Sequence, residues 1–175
     1  MKVIVVVFSL ACSILILSCN NSEDQQNITN KNETQTELKI SAKAIEAFKY
    51  DDYALSDEGQ NLLNEWQKYQ ELAIQINYLK KADLSFFNGD KKLLTDFIAD
   101  FSKNIPERLQ TNPITSRVVI VETKLLKLNE NLTLSNIKTT TKLTSIKEVL
   151  VAFSNLTLQI NKKLEFDIYN KIEAE

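Results

Sequence analysis

Ile114, Val118, Val121, Leu125, Leu128 and Leu132 follow one another in alternating steps of four and three. No other feature of the chain restricts its fold so tightly. A strand alternates faces every second residue and cannot gather these six side chains, whereas a helix puts all six on one stripe. The segment Val118-Val119-Ile120-Val121 has the β-branched content of a strand. A periodicity held over about five turns outweighs four residues of propensity. Asn112-Pro113 supplies a start, with Asn as N-cap and a proline whose missing N–H costs nothing in the first turn.

The same period marks the rest of the chain from residue 39. Ile40, Ala44, Ala47 and Phe48 form one stripe of a short helix that loses its pattern at Asp51-Asp52. Ser56 is a plausible N-cap, with Asp57 and Glu58 well placed against the helix dipole. Leu62, Trp66, Tyr69, Ala73, Ile76, Leu79 and Phe86 then predict one helix of about eight turns, stopped by Asn88-Gly89 with Gly89 in the left-handed conformation. Asp90 caps the next helix, on which Leu93, Leu94, Phe97, Ile98 and Phe101 share a face. Pro106 and Pro113 bracket a short connection, and Thr133 to Lys142 reads as a loop. Ser145 and Glu148 then form a capping box, with Leu143 just before it. Ile146, Leu150, Phe153, Ile160, Leu164, Ile168 and Ile172 carry the last helix nearly to the C-terminus. Four main helices, a short N-terminal one and connections of a few residues predict an all-α, antiparallel up-and-down bundle over residues 39–175.

Composition excludes several classes of chemistry. The chain has no histidine, which removes the commonest general base and the commonest metal ligand. Its two glycines, Gly59 and Gly89, are too isolated for a phosphate-cradling loop. A formal charge of −2, from 21 basic and 23 acidic side chains, gives no electrostatic case for nucleic acid. Carboxylates are the acid–base groups that remain, with Asp51-Asp52, Asp57-Glu58 and the pair Asp96 and Asp100 as candidates. Helix-start acids and a solvated face explain them more simply than a catalytic pair, and no loop has the alternating oxygen ligands of an EF-hand. We expect no catalytic residue, no metal site and no cofactor.

The N-terminus carries a different signal. Met1-Lys2 precedes an apolar run from Val3 to Leu17, shorter than the ~20 residues of a membrane-spanning helix. Ile16-Leu17-Ser18-Cys19 closes it: an aliphatic residue three before cysteine, a small residue just before it, then polar sequence. This arrangement resembles the lipobox of bacterial lipoproteins, although Leu17 stands where a small residue is more usual. Cys12 is a rival, but cleavage there would leave Ser13 to Leu17 on the mature N-terminus after too short an apolar core. The resemblance implies a signal peptide over residues 1–18 and a Cys19 that carries a diacylglyceryl group and a further fatty acyl chain such as palmitate. Asn20 after the cysteine implies the outer membrane as destination, and Ser22-Glu23-Asp24 resembles the export signal of Bacteroidetes-type surface lipoproteins. With Cys19 lipidated and Cys12 removed, no thiol would remain. Residues 19–38 are polar and lack aromatics, so they read as a disordered tether with a mean reach of about 23 Å.

Four residues are candidates for contact with a partner. Tyr78 and Phe87 fall off the buried stripe that holds Trp66, Tyr69 and Phe86. Arg108 and Arg117 lie close to the proline-bounded connection, placed either to grip a carboxylate or carbonyl of a partner or to pair internally, Arg117 with Glu107 or Asp100. Taken together, these features lead us to expect a lipid-anchored, non-catalytic binding or structural module with a protein partner. A carrier of an apolar ligand in the bundle interior is the second reading, and an enzyme working through carboxylates the third.

Overall fold

The computed structural model describes residues 39–173, so the expected signal peptide, Cys19 and tether lie outside the described residues. Among the described residues there are six α-helices and no strand. They are α1 (Ala42–Glu46), α2 (Asp57–Leu62), α3 (Gln67–Lys80), α4 (Lys91–Lys103), α5 (Asn112–Thr133) and α6 (Thr139–Glu173). Two 3₁₀ turns, Leu63–Glu65 and Glu107–Leu109, join them. None of the described helices is long and apolar enough to cross a membrane.

Neighbouring helices run antiparallel. Asn131, near the end of α5, donates to Ser145 near the start of α6 at 2.7 Å. Glu148 takes Lys127 at 2.9 Å and Lys124 at 3.3 Å, and Arg108, just ahead of α5, reaches Asp167 late in α6. At the other side of the bundle Trp66 stacks on Phe101 with ring centroids 5.0 Å apart, and Lys68 stands over the Phe97 ring. Asn129 joins the end of α5 to the start of α4 by donating to the Phe87 and Gly89 carbonyls at 2.9 and 3.1 Å. Tyr69 closes the ring of helices, stacked on Phe153 and hydrogen-bonded to Thr157 of α6. This is the antiparallel bundle that the stripes predict.

The stripe on α5 is buried from Ile114 through Leu128, with Leu132 half-buried. Ser56 caps α2 by accepting from the Gly59 N–H at 3.2 Å, and Asp90 caps α4 by accepting from Lys92 at 2.6 Å. Other expectations are corrected. On α1 the buried side chain is Ile45, while Ala47 is exposed. On α4 Leu93 is exposed, because the face centred on Leu94, Ile98 and Phe101 already fills the interface. The N-cap of α5 is Thr111, one residue before Asn112. Ser145 does not start a helix: α6 begins at Thr139, so Ser145 lies inside it, buried against Asn131, and Glu148 holds two lysines of α5. Burial of Leu143 and Ile146 overrides the weak helix propensity of Thr139-Thr140-Thr141.

The expected eight-turn helix is three pieces. Trp66 leaves the helical region (φ −119°, ψ 71°), which sends its indole into the core to donate to the Phe101 carbonyl at 3.0 Å. At the far end α3 stops at Lys80, not at Asn88-Gly89. Asp83 N–H bonds the Tyr78 carbonyl and Ala82 N–H bonds that of Leu79, a Schellman motif. The left-handed residue is therefore Ala82, at φ 64°, and Gly89 has no positive φ. An L-residue there costs about 1–2 kcal/mol, partly offset by the extra chain entropy glycine would lose. Ala82→Gly should thus stabilise the fold by about 0.5–1 kcal/mol, seen as a higher urea midpoint. A lower midpoint would mean that packing of the Ala82 methyl outweighs its backbone strain.

Candidate functional site

Between α1 and α2 the chain from residue 48 to 56 has no regular element and lies along α6 as a strap. Two side chains of α6, two turns apart, hold it. Ser154 Oγ donates to the Asp51 carbonyl at 2.6 Å and accepts from the Tyr53 N–H at 2.9 Å. Asn161 donates to the Ala54 carbonyl at 2.8 Å and accepts from the Ser56 N–H at 3.0 Å. The backbone groups of the strap that face α6 thus find partners without a sheet. At Gly59 a Cβ would come within 3.0 Å of the tip of the Leu55 side chain, so its absence leaves room for that leucine.

Under the strap lies a cleft of about 480 Å³ that opens to solvent. Ala73, Ile76, Leu55 and the rings of Tyr69 and Phe153 give it an apolar floor, and Gln60 and Asn77 stand at its rim. Lys80 pairs with Asp52 at 2.6 Å beside it. The Tyr69 hydroxyl faces Thr157 at 2.6 Å, and Thr157 in turn donates to the Phe153 carbonyl. Burial pushes the Tyr69 phenol well above the ordinary tyrosine range, against the smaller effect of that hydrogen bond. Burial, with the Asp52 charge adding to it, also raises Tyr50. The cleft offers shape, apolar surface, the Gln60 and Asn77 amides and the Lys80–Asp52 ion pair.

The four expected contact residues fare differently. Tyr78 is exposed on α3, one turn from the equally exposed Ile74. Phe87 is not a contact residue: it is wholly buried. The turn from Leu84 to Asn88 breaks the helical phase that would expose it, and it packs edge-on against Phe86 at 5.0 Å. Arg108 pairs with Asp167, its Nε 2.9 Å from Oδ2. Burial works against the Asp167 charge, yet hydrogen bonds from Lys163 and Arg108 prevail and hold its carboxyl below the usual range. Arg117 turns back on its own helix to donate to the Pro113 carbonyl at 2.9 Å, in place of a bond to Glu107 or Asp100. The structure does not gather the four into one site.

The candidate carboxylates are also dispersed in role. Asp52 pairs with Lys80 and Asp96 with Lys92, while Asp57 and Glu58 sit in the first turn of α2. Among the described residues no group of three or more acidic or sulfur side chains is placed to hold a metal ion.

An exposed apolar surface that periodicity does not reveal lies at the end of α6. That helix is 35 residues long, about 52 Å, against 22 residues for α5. Because Arg108, ahead of α5, already meets Asp167, the remainder of α6 outruns its neighbour. Ile168 and Ile172 therefore continue the stripe of Ile160 and Leu164 yet are 39% and 69% exposed. Phe166 and Tyr169 beside them are 60% and 57% exposed. The signal available in the sequence is that these two aromatics fall off the stripe. No known family matches the chain, and no curated protein and no solved structure is similar to it.

Proposed function

We infer that the chain is a lipid-anchored envelope lipoprotein that acts without catalysis, by presenting a helical bundle to a protein partner. Cys19 is the residue that would carry the lipid, the outer membrane the destination implied by Asn20, and residues 19–38 the tether that sets the reach. The observation that carries the binding half of this reading is the exposed end of α6. Four large apolar side chains in about two turns of helix are more than a monomer needs to leave in water, and such patches mark interaction sites. Two or more acyl chains, each methylene contributing about 0.8 kcal/mol, would hold the module at a leaflet.

The anchor is tested by metabolic labelling with a fatty-acid probe. Label should be lost entirely in Cys19→Ala and kept in Cys12→Ala, and the opposite pattern would overturn the assignment. A second reading, a carrier of an apolar or lipid-like ligand, is favoured by the strap cleft, which would place the ligand beside α3 and α6, outside the bundle axis.

A further inference from the structure

We propose that the strap cleft binds an extended peptide segment of a protein partner, paired through its backbone to the strap and seated by an apolar side chain on the cleft floor. The strap itself shows how this fold holds an extended chain. Between Ser154 and Asn161 α6 rises ~10.5 Å, and the strap covers that rise in three residues, from the Asp51 carbonyl to that of Ala54. That is ~3.5 Å per residue, the reach of a fully extended chain. In a planar trans peptide unit the C=O and the next N–H point opposite ways. The Asp51 and Ala54 carbonyls and the Tyr53 and Ser56 N–H groups face α6. The N–H and C=O of Asp52 and of Leu55 therefore face away from it. None of these four groups has a hydrogen-bond partner among the described residues, and both residues line the cleft. A residue that turns both backbone groups to one side is the unit of strand pairing, and its match is another extended backbone.

Length and charge narrow the occupant. The cleft runs on into a hollow at each end. One shares Leu55 and Ala73 with it and reaches Gln70 and Ile74, while the other shares Asp52 and Lys80 and reaches Ile45 and Glu46. From Gln70 to Lys80 α3 rises ~15 Å, the length of about four or five extended residues. At the second end Glu46 and Asp52 stand against Lys80 alone, which favours a Lys or Arg of the occupant there. Across the cleft the Asn77 amide has no partner among the described residues. Asn161 shows what such an amide does with a backbone, donating to one carbonyl and accepting from an N–H two residues on. An acyl chain could fill the same length, but it would strip water from the strap groups and give them no partner. The proposal rests on the reading of the chain as a protein-binding module, and needs no lipid on Cys19.

Panning a displayed library of random heptapeptides on the full chain in detergent tests it, with the strongest binder then synthesised and followed by fluorescence polarisation. Selected peptides should share an apolar residue with a Lys or Arg within about four positions of it. Methylating the binder's backbone nitrogens one at a time should weaken it about tenfold at one or two positions, where the Asp52 or Leu55 carbonyl loses its donor. Asn77→Ala should weaken it several-fold. Glu46→Lys should do the same, until the basic residue of the peptide is exchanged for Glu. Ala73→Trp, which fills the floor, should abolish binding; Asn77 and Glu46 are exposed, so their variants decide the matter if that one does not fold. Absence of any shared sequence among the selected peptides would overturn the proposal. So would palmitate that binds the parent but not Ala73→Trp and outcompetes every peptide, which would give the cleft to an apolar ligand. Binding that survives Asn77→Ala and Glu46→Lys but is lost in Phe166→Ala would overturn this site and leave the partner reading standing at the end of α6.

Discussion

Trp66→Ala should cost about 3–5 kcal/mol, among the largest losses any single truncation of this fold can produce. The indole is wholly buried, stacked on Phe101 at 5.0 Å and tilted against Tyr69 at 5.3 Å, so its removal leaves a cavity between α3 and α4. For a domain of this size the melting temperature should fall by about 10 °C or more. Trp66→Phe separates two contributions. It keeps most of the ring packing but leaves the Phe101 carbonyl without its donor, an unsatisfied buried group worth about 1–3 kcal/mol. Urea unfolding followed by circular dichroism measures both. A Trp66→Ala variant within 1 kcal/mol of the parent, on the order of a surface change, would mean that the break before α3 does not serve to seat this side chain.

That break shows where the sequence is legible and where it is not. The stripe from Ile114 to Leu128 reads correctly because every one of its steps points inward, against helices that pack along it. The run from Leu62 to Phe86 has a nearly equal period, but it crosses two points where tertiary contacts outweigh local preference. At Trp66 a hydrogen bond to another helix fixes the turn, and no property of residues 62–66 encodes that partner. At Lys80 the stop is a Schellman motif with an alanine in the left-handed position, a residue type that gives no warning. The start of the next turn is readable in retrospect: Asp83 accepts from the Ser85 N–H at 3.0 Å, the side-chain-to-backbone bond that Asp favours in turns. The strap is less readable still, since Ser154 and Asn161 look like ordinary polar positions on α6 until the segment from Asp51 to Ser56 is laid across them.

Sequence periodicity reports which face of a helix is apolar, and it cannot report how far the neighbouring helix extends. Ile168 and Ile172 are indistinguishable by pattern from Ile160 and Leu164, yet one pair is exposed and the other buried, because α5 begins at Asn112. The exposure at the end of α6 follows from unequal helix lengths.

Phe87 and Tyr78 give the second large prediction, because both fall off the helical stripe and the structure buries one and exposes the other. Phe87→Ala should cost about 3–5 kcal/mol, since the side chain is wholly buried against Phe86 in the turn between α3 and α4. Its loss also loosens the backbone that Asn129 holds through the Phe87 and Gly89 carbonyls. Tyr78→Ala removes a side chain that is 47% exposed, and should stay within about 1 kcal/mol of the parent. Trp66, the chain's one tryptophan, is buried and reports unfolding in both variants by the red shift of its emission. Comparable small losses in the two would return Phe87 to the surface, as its place in the helical period suggests. A large loss in Phe87→Ala alone would mean that the turn from Leu84 to Asn88 exists to carry this ring inward, leaving Tyr78 as the member of the pair free to meet a partner.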